Sequence, residues 1–469
     1  MSTSATTASN LFIDLATYSE TEGFLYGGPE AITWFVRTVQ KANWFSFIPL
    51  SLRQQGTFAF GQRNSSAIVN RSGDYVLDVW FRCQIPQVIC DQTVPPTVST
   101  SAAYAWTRNL MHNLIERCSI TFNELVVHEF DSNWLDYNFE FRCRGSKRLG
   151  YRNMIGDIAA MTLQVAPANV LGTGGFFSVP LPFFFTEDSG VALPVAALPF
   201  NDIKINYTFR ALANLLYVNP GLSTDGTQIQ LSNIHVVGGT AAPEMQEAAT
   251  FSHYAVVHND ERVAMGDAPR DMLIRQVQNT QQQSFTNAVS GARQSFDLRL
   301  SHAMIAIFFA MKNTTLAGLQ SNYTTEPHYA GLDPISFSTL IYENTTRVAM
   351  GSDYYSLMCP WYVSDAIPEE TGYHMYSYAI HPWLQDPSGS TNYSKLANVS
   401  LAHDPSPAAT NAANVAAPTN SAGGLIREPV FGTLGAPAPL SPQTFVHVFE
   451  SCNWNIVRVA NGSLGLPVL

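Results

Sequence analysis

IKINYTFR, Ile203 to Arg210, sets Ile203, Ile205, Tyr207 and Phe209 on one side of an extended chain and Lys204, Asn206, Thr208 and Arg210 on the other. Side chains alternate between faces with a period of two in a strand, so this segment predicts a β-strand with one face in a core. Tyr75 to Cys83 repeats the pattern, with Tyr75, Leu77, Val79, Phe81 and Cys83 alternating against Asp78 and Arg82, and Phe296 to Leu300 does so more briefly. AMIAIFFAM, Ala303 to Met311, is apolar throughout, short, and bounded by polar residues, which predicts a strand buried on both faces. Helices are expected only at Ala103 to Glu116 and Trp134 to Arg142. With 27 prolines and 30 glycines between these runs, the chain reads as all-β, of the sandwich or jelly-roll kind, with long decorated loops. Periodicity does not choose among β topologies.

The 469 residues are too many for one ordinary core and enough for two of about 200 residues each. A composition break follows Arg210, where ALANLLYVNPGLSTDG leads into new strand-like segments. The expected organisation is an N-terminal arm at 1–25, a first β-domain at 26–212, a linker at 213–240 and a second β-domain at 241–469. Ser406 to Pro442, rich in Ala, Pro, Asn, Gly and Ser, is expected to be an exposed loop of the second domain, and Gln87 to Ser101 a surface loop of the first.

Charged residues make up 13% of the chain, about half of the roughly 25% usual in soluble domains. Low charge lowers the desolvation cost of association, which suits a chain packed against copies of itself. The net charge of −11 has the wrong sign for neutralising phosphates over a large area, so direct wrapping of nucleic acid is not expected. The opening MSTSATTASN has neither a basic start nor an apolar core, and the longest apolar stretches are about ten residues with prolines inside, so secretion and membrane spanning are unsupported. Cys83, Cys90, Cys118, Cys143, Cys359 and Cys452 form no CxxC pair and read as reduced, buried thiols.

Chemistry-bearing patterns are sparse. Asp188, Ser189 and Gly190 spell the DSG of aspartic proteases, but such enzymes need two carboxylates sharing a proton and no second copy exists; the glycine reads as a turn before a strand VALPVAAL. His253 and His258, like His374 and His381, lack metal-ligand spacing. Adjacent Glu369 and Glu370 would point to opposite faces of a strand, a poor acid and base pair, and read as a solvated loop. GTGG at Gly172 to Gly175 is a turn signal. Nine Asn-x-Ser/Thr sequons, among them Asn206 inside its alternating strand, read as chance. Arg142, Arg144, Lys147, Arg148 and Arg152 form one basic cluster, expected to serve local salt bridges or contacts between assembled units. No catalytic, cofactor-binding or metal-binding residue is expected.

Several blocks in fixed order carry a resemblance. They include FIDLATY at Phe12 to Tyr18, SGDYVL at Ser72 to Leu77, GSKRLGYRNMIG at Gly145 to Gly156, PLPFFFTEDSGVALPVAALPFNDIKI at Pro180 to Ile205, ERVAMGDAPRDMLIRQVQ at Glu261 to Gln278, YENTTRVAMGSDYYSLMCPWY at Tyr342 to Tyr362 and NGSLGLPVL at Asn461 to Leu469. Together they resemble the major capsid proteins of nucleocytoplasmic large DNA viruses of the iridovirus and marseillevirus type. The resemblance implies a double jelly roll, two eight-stranded antiparallel barrels in one chain, and a structural protein rather than an enzyme. It further implies a homotrimer of nearly hexagonal outline tiling an icosahedral shell, made in the host cytoplasm. Its expected partners are neighbouring capsomers, minor capsid and penton proteins and an inner viral membrane at the base. Rival readings are a carbohydrate-binding jelly-roll module and a β-sandwich glycosidase.

Overall fold

The computed structural model describes residues 12–90, 102–219, 229–329, 331–414 and 442–467. Residues to Trp44 form one unit and Phe45 onward a second. In the first, Ser19 opens the short helix Glu20–Leu25, its backbone N–H donating to Glu22 Oε2 at 3.1 Å. This unit runs past the arm expected to end at residue 25.

The second unit holds two pairs of antiparallel sheets. In its N-terminal half a four-stranded sheet runs Phe45–Ser51, Gln246–Val257, Tyr75–Gln84, Phe176–Pro180. Against it stands a five-stranded sheet in the order Arg53–Gln55, Ser65–Ile68, Ile203–Phe209, Ile115–Phe122, Leu125–Asp131. The C-terminal half repeats the plan, with Arg270–Asn279, Phe445–Ala460, Ala303–Asn313 and His374–Ser377 in one sheet and Gln294–Asp297, Val399–Pro405, Ile335–Tyr342 and Thr345–Gly351 in the other. Two all-β halves in one chain are the double jelly roll.

Ile203–Phe209 buries every odd-numbered side chain, as its alternation predicts. Ala303–Asn313 lies between two hydrogen-bonded neighbours and is buried on both faces. Tyr75–Gln84 departs from expectation at one end: Val79, Phe81 and Cys83 point inward, but so does Val76, while Tyr75 and Leu77 do not. The cause is a bulge. Val79 faces Ser252 while Val76 faces Tyr254, so three steps on one strand oppose two on the other and the phase flips.

Long-range pairing overrides local pattern elsewhere. Within the helix expected from Ala103 to Glu116 only Leu110–Leu114 is helical; Ala103–Trp106 is a strand paired with Leu216–Asn219. Leu216–Asn219 comes from the expected linker, as does Ile234–Val236, which pairs with Val88–Cys90. VALPVAAL forms two single turns of 3-10 helix, Ser189–Val191 and Val195–Ala197, joined to the sheet by one bridge from Leu193 to Val76; Pro194, with no N–H, interrupts any longer ladder. The expected loop from Ser406 starts as a helix, Pro407–Asn414, burying Ala409, Ala412 and Ala413; small side chains let it lie close to the core. Residues 415–441 of that loop, and 91–101 of the other, lie outside the described residues.

The helix Ser132–Arg142, expected from Trp134, is wedged between the halves. Asp131 caps it, accepting from Asn133 N at 2.8 Å and Trp134 N at 3.0 Å. Its Trp134, Tyr137 and Phe141 rings lie 5.5, 5.8 and 5.4 Å from the ring of Phe308, which belongs to the other half. Apolar aromatic contact of this density makes the seam part of one continuous core.

Candidate functional site

The same helix turns Asp136 into the seam, where its carboxylate is fully enclosed. Oδ1 accepts from Asn109 Nδ2 at 3.0 Å and stands 2.8 Å from His112 Nδ1. Oδ2 accepts from two C-terminal-half hydroxyls, Ser321 Oγ at 2.5 Å and Tyr323 OH at 3.1 Å. Burial alone would raise the Asp136 pKa, but the His112 contact and the Ser321 hydrogen bond outweigh it and hold the carboxyl below its ordinary range.

One turn further along this helix, Glu140 begins a network of arginines, most of them from the basic cluster of the sequence. Helix Gly145–Ile155 presents Arg148 to Glu140 at 3.0 Å and to Glu369 at 3.3 Å, with the Ile367 carbonyl at 3.1 Å. Arg152 meets Asp157 at 3.6 Å, Glu369 at 3.5 Å and Glu370 at 3.4 Å. Arg108 joins Asp157 at 3.6 Å and forms a two-pronged pair with Glu370. Arg144 meets Asp365 at 3.3 Å, and Arg142 and Arg275 converge on Glu187, each at 2.5 Å. The arginines therefore form local salt bridges, largely across the seam, while Lys147 stays on the surface. Glu369 lies exposed in a loop, with 52% of its side chain in solvent while it meets Arg148 and Arg152, and the more buried Glu370 is held by Arg108 and Arg152.

The remaining candidates are not brought together. Asp188 Oδ2 accepts from Gly190 N at 2.9 Å, closing a turn. His253 pairs with Asp78 at 3.1 Å, His258 with Asp260 at 3.3 Å, and buried His374 with Asp333 at 2.8 Å. Gly172 and Gly174 take left-handed φ of 97° and 67°, as a turn requires. None of the six cysteines forms a disulfide, and only Cys143 is not buried; burial pushes the Cys83 thiol up to about 12. Asn206 donates to Thr121 Oγ1 at 3.2 Å within its sheet. Among the described residues no group of three or more His, Cys, Asp or Glu is placed to hold a metal ion.

Sequence reasoning missed a buried histidine pair in the C-terminal half. His403 Nε2 faces His447 Nε2 at 3.3 Å, His403 Nδ1 contacts Ser338 Oγ at 2.8 Å, and Phe296 stacks on His447 with ring centres 4.1 Å apart. Burial drives the pKa of His447 down to about 3 and that of His403 well below the usual range, so both are neutral. No spacing signal links strands so far apart in the chain.

The surface carries an aromatic face. On the outer side of the four-stranded sheet, Trp80 stacks on Phe251 at 5.7 Å and lies 4.8 Å from His253. The register continues this side through Pro49 and Phe47 on the edge strand Phe45–Ser51, where Phe45 and Phe47 are each 52% exposed. Exposed large apolar side chains grouped on one edge strand mark a candidate interaction surface.

Comparison with known proteins agrees with this geometry. A family model for the major capsid protein N-terminus matches residues 33–257, and one for the large eukaryotic DNA virus major capsid protein matches 261–465. The chain is 44% identical, over the whole of both chains, to the major capsid protein of Costelytra zealandica iridescent virus, and 41% identical, again over both whole chains, to that of Invertebrate iridescent virus 6. With the major capsid protein of Rana tigrina ranavirus it shares 36% identity over 98% of this chain and 97% of the other. Among solved structures, the PBCV-1 virus capsid matches with a TM-score of 0.68 at 18% identity, covering 93% of this chain and 100% of that one. The Faustovirus major capsid protein matches with a TM-score of 0.68 at 11% identity, over 92% and 93% of the two chains. At those identities the structures speak to the fold.

Proposed function

The chain belongs to the major capsid protein family of large eukaryotic DNA viruses, and from that premise we propose that three copies join into a capsomer of nearly six-sided outline that tiles an icosahedral shell. It is a structural protein of the virion, not an enzyme. Two similar sandwiches per chain give three chains six similar corners, so a threefold oligomer meets its neighbours almost as a sixfold one would. The observation that supports the trimer is the exposed apolar edge strand Phe45–Ser51, where Phe45 and Phe47 are each 52% exposed, continued by the half-buried Trp80 and Phe251.

Further parts of the reading follow from the family. Contacts between capsomers are weaker than those within them and gain strength from number. Minor capsid and penton proteins meet the capsomer edges, an inner membrane lies under the base, and synthesis is in the host cytoplasm. The net charge of −11 argues against direct contact with the genome. We place the division between the halves just after Val257, because Gln246–Val257 pairs with Phe45–Ser51 and Tyr75–Gln84. The carbohydrate-binding and glycosidase readings gain no support from the relatives.

The test is the mass of the purified chain in solution with its outline in negative stain. Trimers with hexagonal plates are expected, and Phe47→Asp should give folded monomers. A wild-type chain that stays monomeric, or a Phe47→Asp chain that trimerises normally, would remove the trimer or its proposed face.

A further inference from the structure

Between the two halves, strand ends from both line a polar hollow of about 800 Å³ that is open to solvent. Lys312, at the end of Ala303–Asn313, lines it while only 6% exposed, and its ammonium has neither a carboxylate in ion-pair range nor a hydrogen-bond acceptor among the described residues. Arg210, facing it from the N-terminal half, donates only to neutral groups, Asn113 Oδ1 at 3.2 Å and Ser132 Oγ at 3.1 Å. Arg63 lines the same hollow, exposed and without an ion pair among the described residues. Among the described residues no carboxylate makes an ion pair with any of these three cations, although Asp131, Asp136 and Glu116 stand close enough to pull on Lys312 and Arg210. Asp131 is occupied by the helix it caps, accepting from Asn133 N at 2.8 Å, Asn133 Nδ2 at 2.8 Å and Trp134 N at 3.0 Å. Asp136 is saturated by His112, Ser321 and Tyr323. Those hydrogen bonds engage the carboxylate oxygens without cancelling their charge; Glu116, exposed, and Arg117, paired with Glu129 at 3.3 Å, complete the charged lining.

A cation withdrawn from water without a counterion is costly, and a fixed group of them is a ready receptor for an anion with several oxygens. We propose that this hollow binds a small polyvalent oxyanion of the phosphate or pyrophosphate class, held by Lys312 from one half and by Arg210 and Arg63 from the other. Such a ligand ties the two sandwiches together and, because it binds only the folded chain, stabilises it by mass action. Burial, reinforced by Arg210, pushes the Lys312 amine down to about 7 against the opposing pull of Asp136, Asp131 and Glu116, so anion binding near neutrality draws a proton onto it.

Calorimetric titration of the purified full chain with inorganic pyrophosphate, and separately with inorganic phosphate, tests this. Saturable binding at one ligand per chain is expected, with a heat that changes between buffers of different ionisation enthalpy because a proton is taken up. Lys312→Met should weaken binding by about tenfold or more and Arg63→Gln by about threefold. Glu116→Gln should tighten it, and Lys147→Gln, at an exposed position outside the lining, should leave it unchanged. No saturable heat with either anion, or equal affinity in the Lys312→Met and Arg63→Gln chains, overturns the proposal. If Lys312→Met does not fold, Arg63→Gln and Glu116→Gln, both at exposed positions, decide it by their opposite signs.

Discussion

His112 Nδ1 stands 2.8 Å from Asp136 Oδ1, with both side chains sealed from solvent and Ser321 and Tyr323 of the other half closing the carboxylate's second oxygen. One acid thus collects donors from both sandwiches, and removing it strands several of them without water. Asp136→Ala should cost about 3–5 kcal/mol, the range for breaking a buried pair. Urea unfolding measures it. A loss no larger than that of an average surface substitution would show that the seam does not depend on this acid.

Three neutral buried histidines set a pH dependence. His128 Nδ1 accepts from Phe184 N at 3.1 Å, and burial takes its pKa down to about 4; His447 goes down to about 3, and His403 falls with it. The unfolded chain protonates its histidines below about pH 6.5 while the folded chain does not. This contribution to stability is therefore fully present above that pH and drains away as pH falls toward the folded values, by about 1.4 kcal/mol per pH unit per histidine. His447→Phe should flatten the slope of unfolding free energy between about pH 6 and pH 5, whatever its offset in absolute stability. A slope identical to that of the parent chain would contradict the assignment.

Two glycines should respond in opposite directions. Gly372 has φ +97°, and an added Cβ would collide with the backbone carbonyl of Tyr323, which cannot move without disturbing the Asp136 cluster. Gly372→Ala should cost about 3 kcal/mol or more. Gly150 lies within helix Gly145–Ile155 with open space where a Cβ would go, so Gly150→Ala should stabilise by about 0.5–1 kcal/mol. Thermal unfolding of the two variants side by side reads both signs.

The ion pairs divide by position. Glu370 is held by Arg108 and, at 3.4 Å, by Arg152, all with about a quarter of their side-chain surface exposed. Glu370→Ala leaves Arg108 half-compensated by Asp157 and should cost about 1–3 kcal/mol. Asp271 and Arg458 pair at 2.7 Å on the open surface, where solvent and salt screen them. Asp271→Asn should leave the unfolding midpoint unmoved. Equal losses from both would mean that the seam network is no better shielded than the surface.

The all-β class, the inward set of Ile203–Phe209, the doubly buried Ala303–Asn313 and the helix ending at Arg142 were legible in the linear chain. A period of two, an unbroken apolar run and a capped helix are properties of neighbouring residues and backbone geometry. The ordered blocks from Phe12 to Leu469 likewise pointed to the capsid family with no coordinates at all. Only the folded chain decided where the pattern slips at Val76, because the bulge depends on the opposing strand around Ser252. Folding also decided that Ala103–Trp106 is a strand, since its partner lies at Leu216–Asn219. The same holds for the basic cluster, which became a seam once Glu369 and Glu370 arrived from the other half, and for His403 with His447 and Lys312 with Arg210. Charges and rings act over a few ångströms of space, and no local rule says which distant residues folding will bring within that reach.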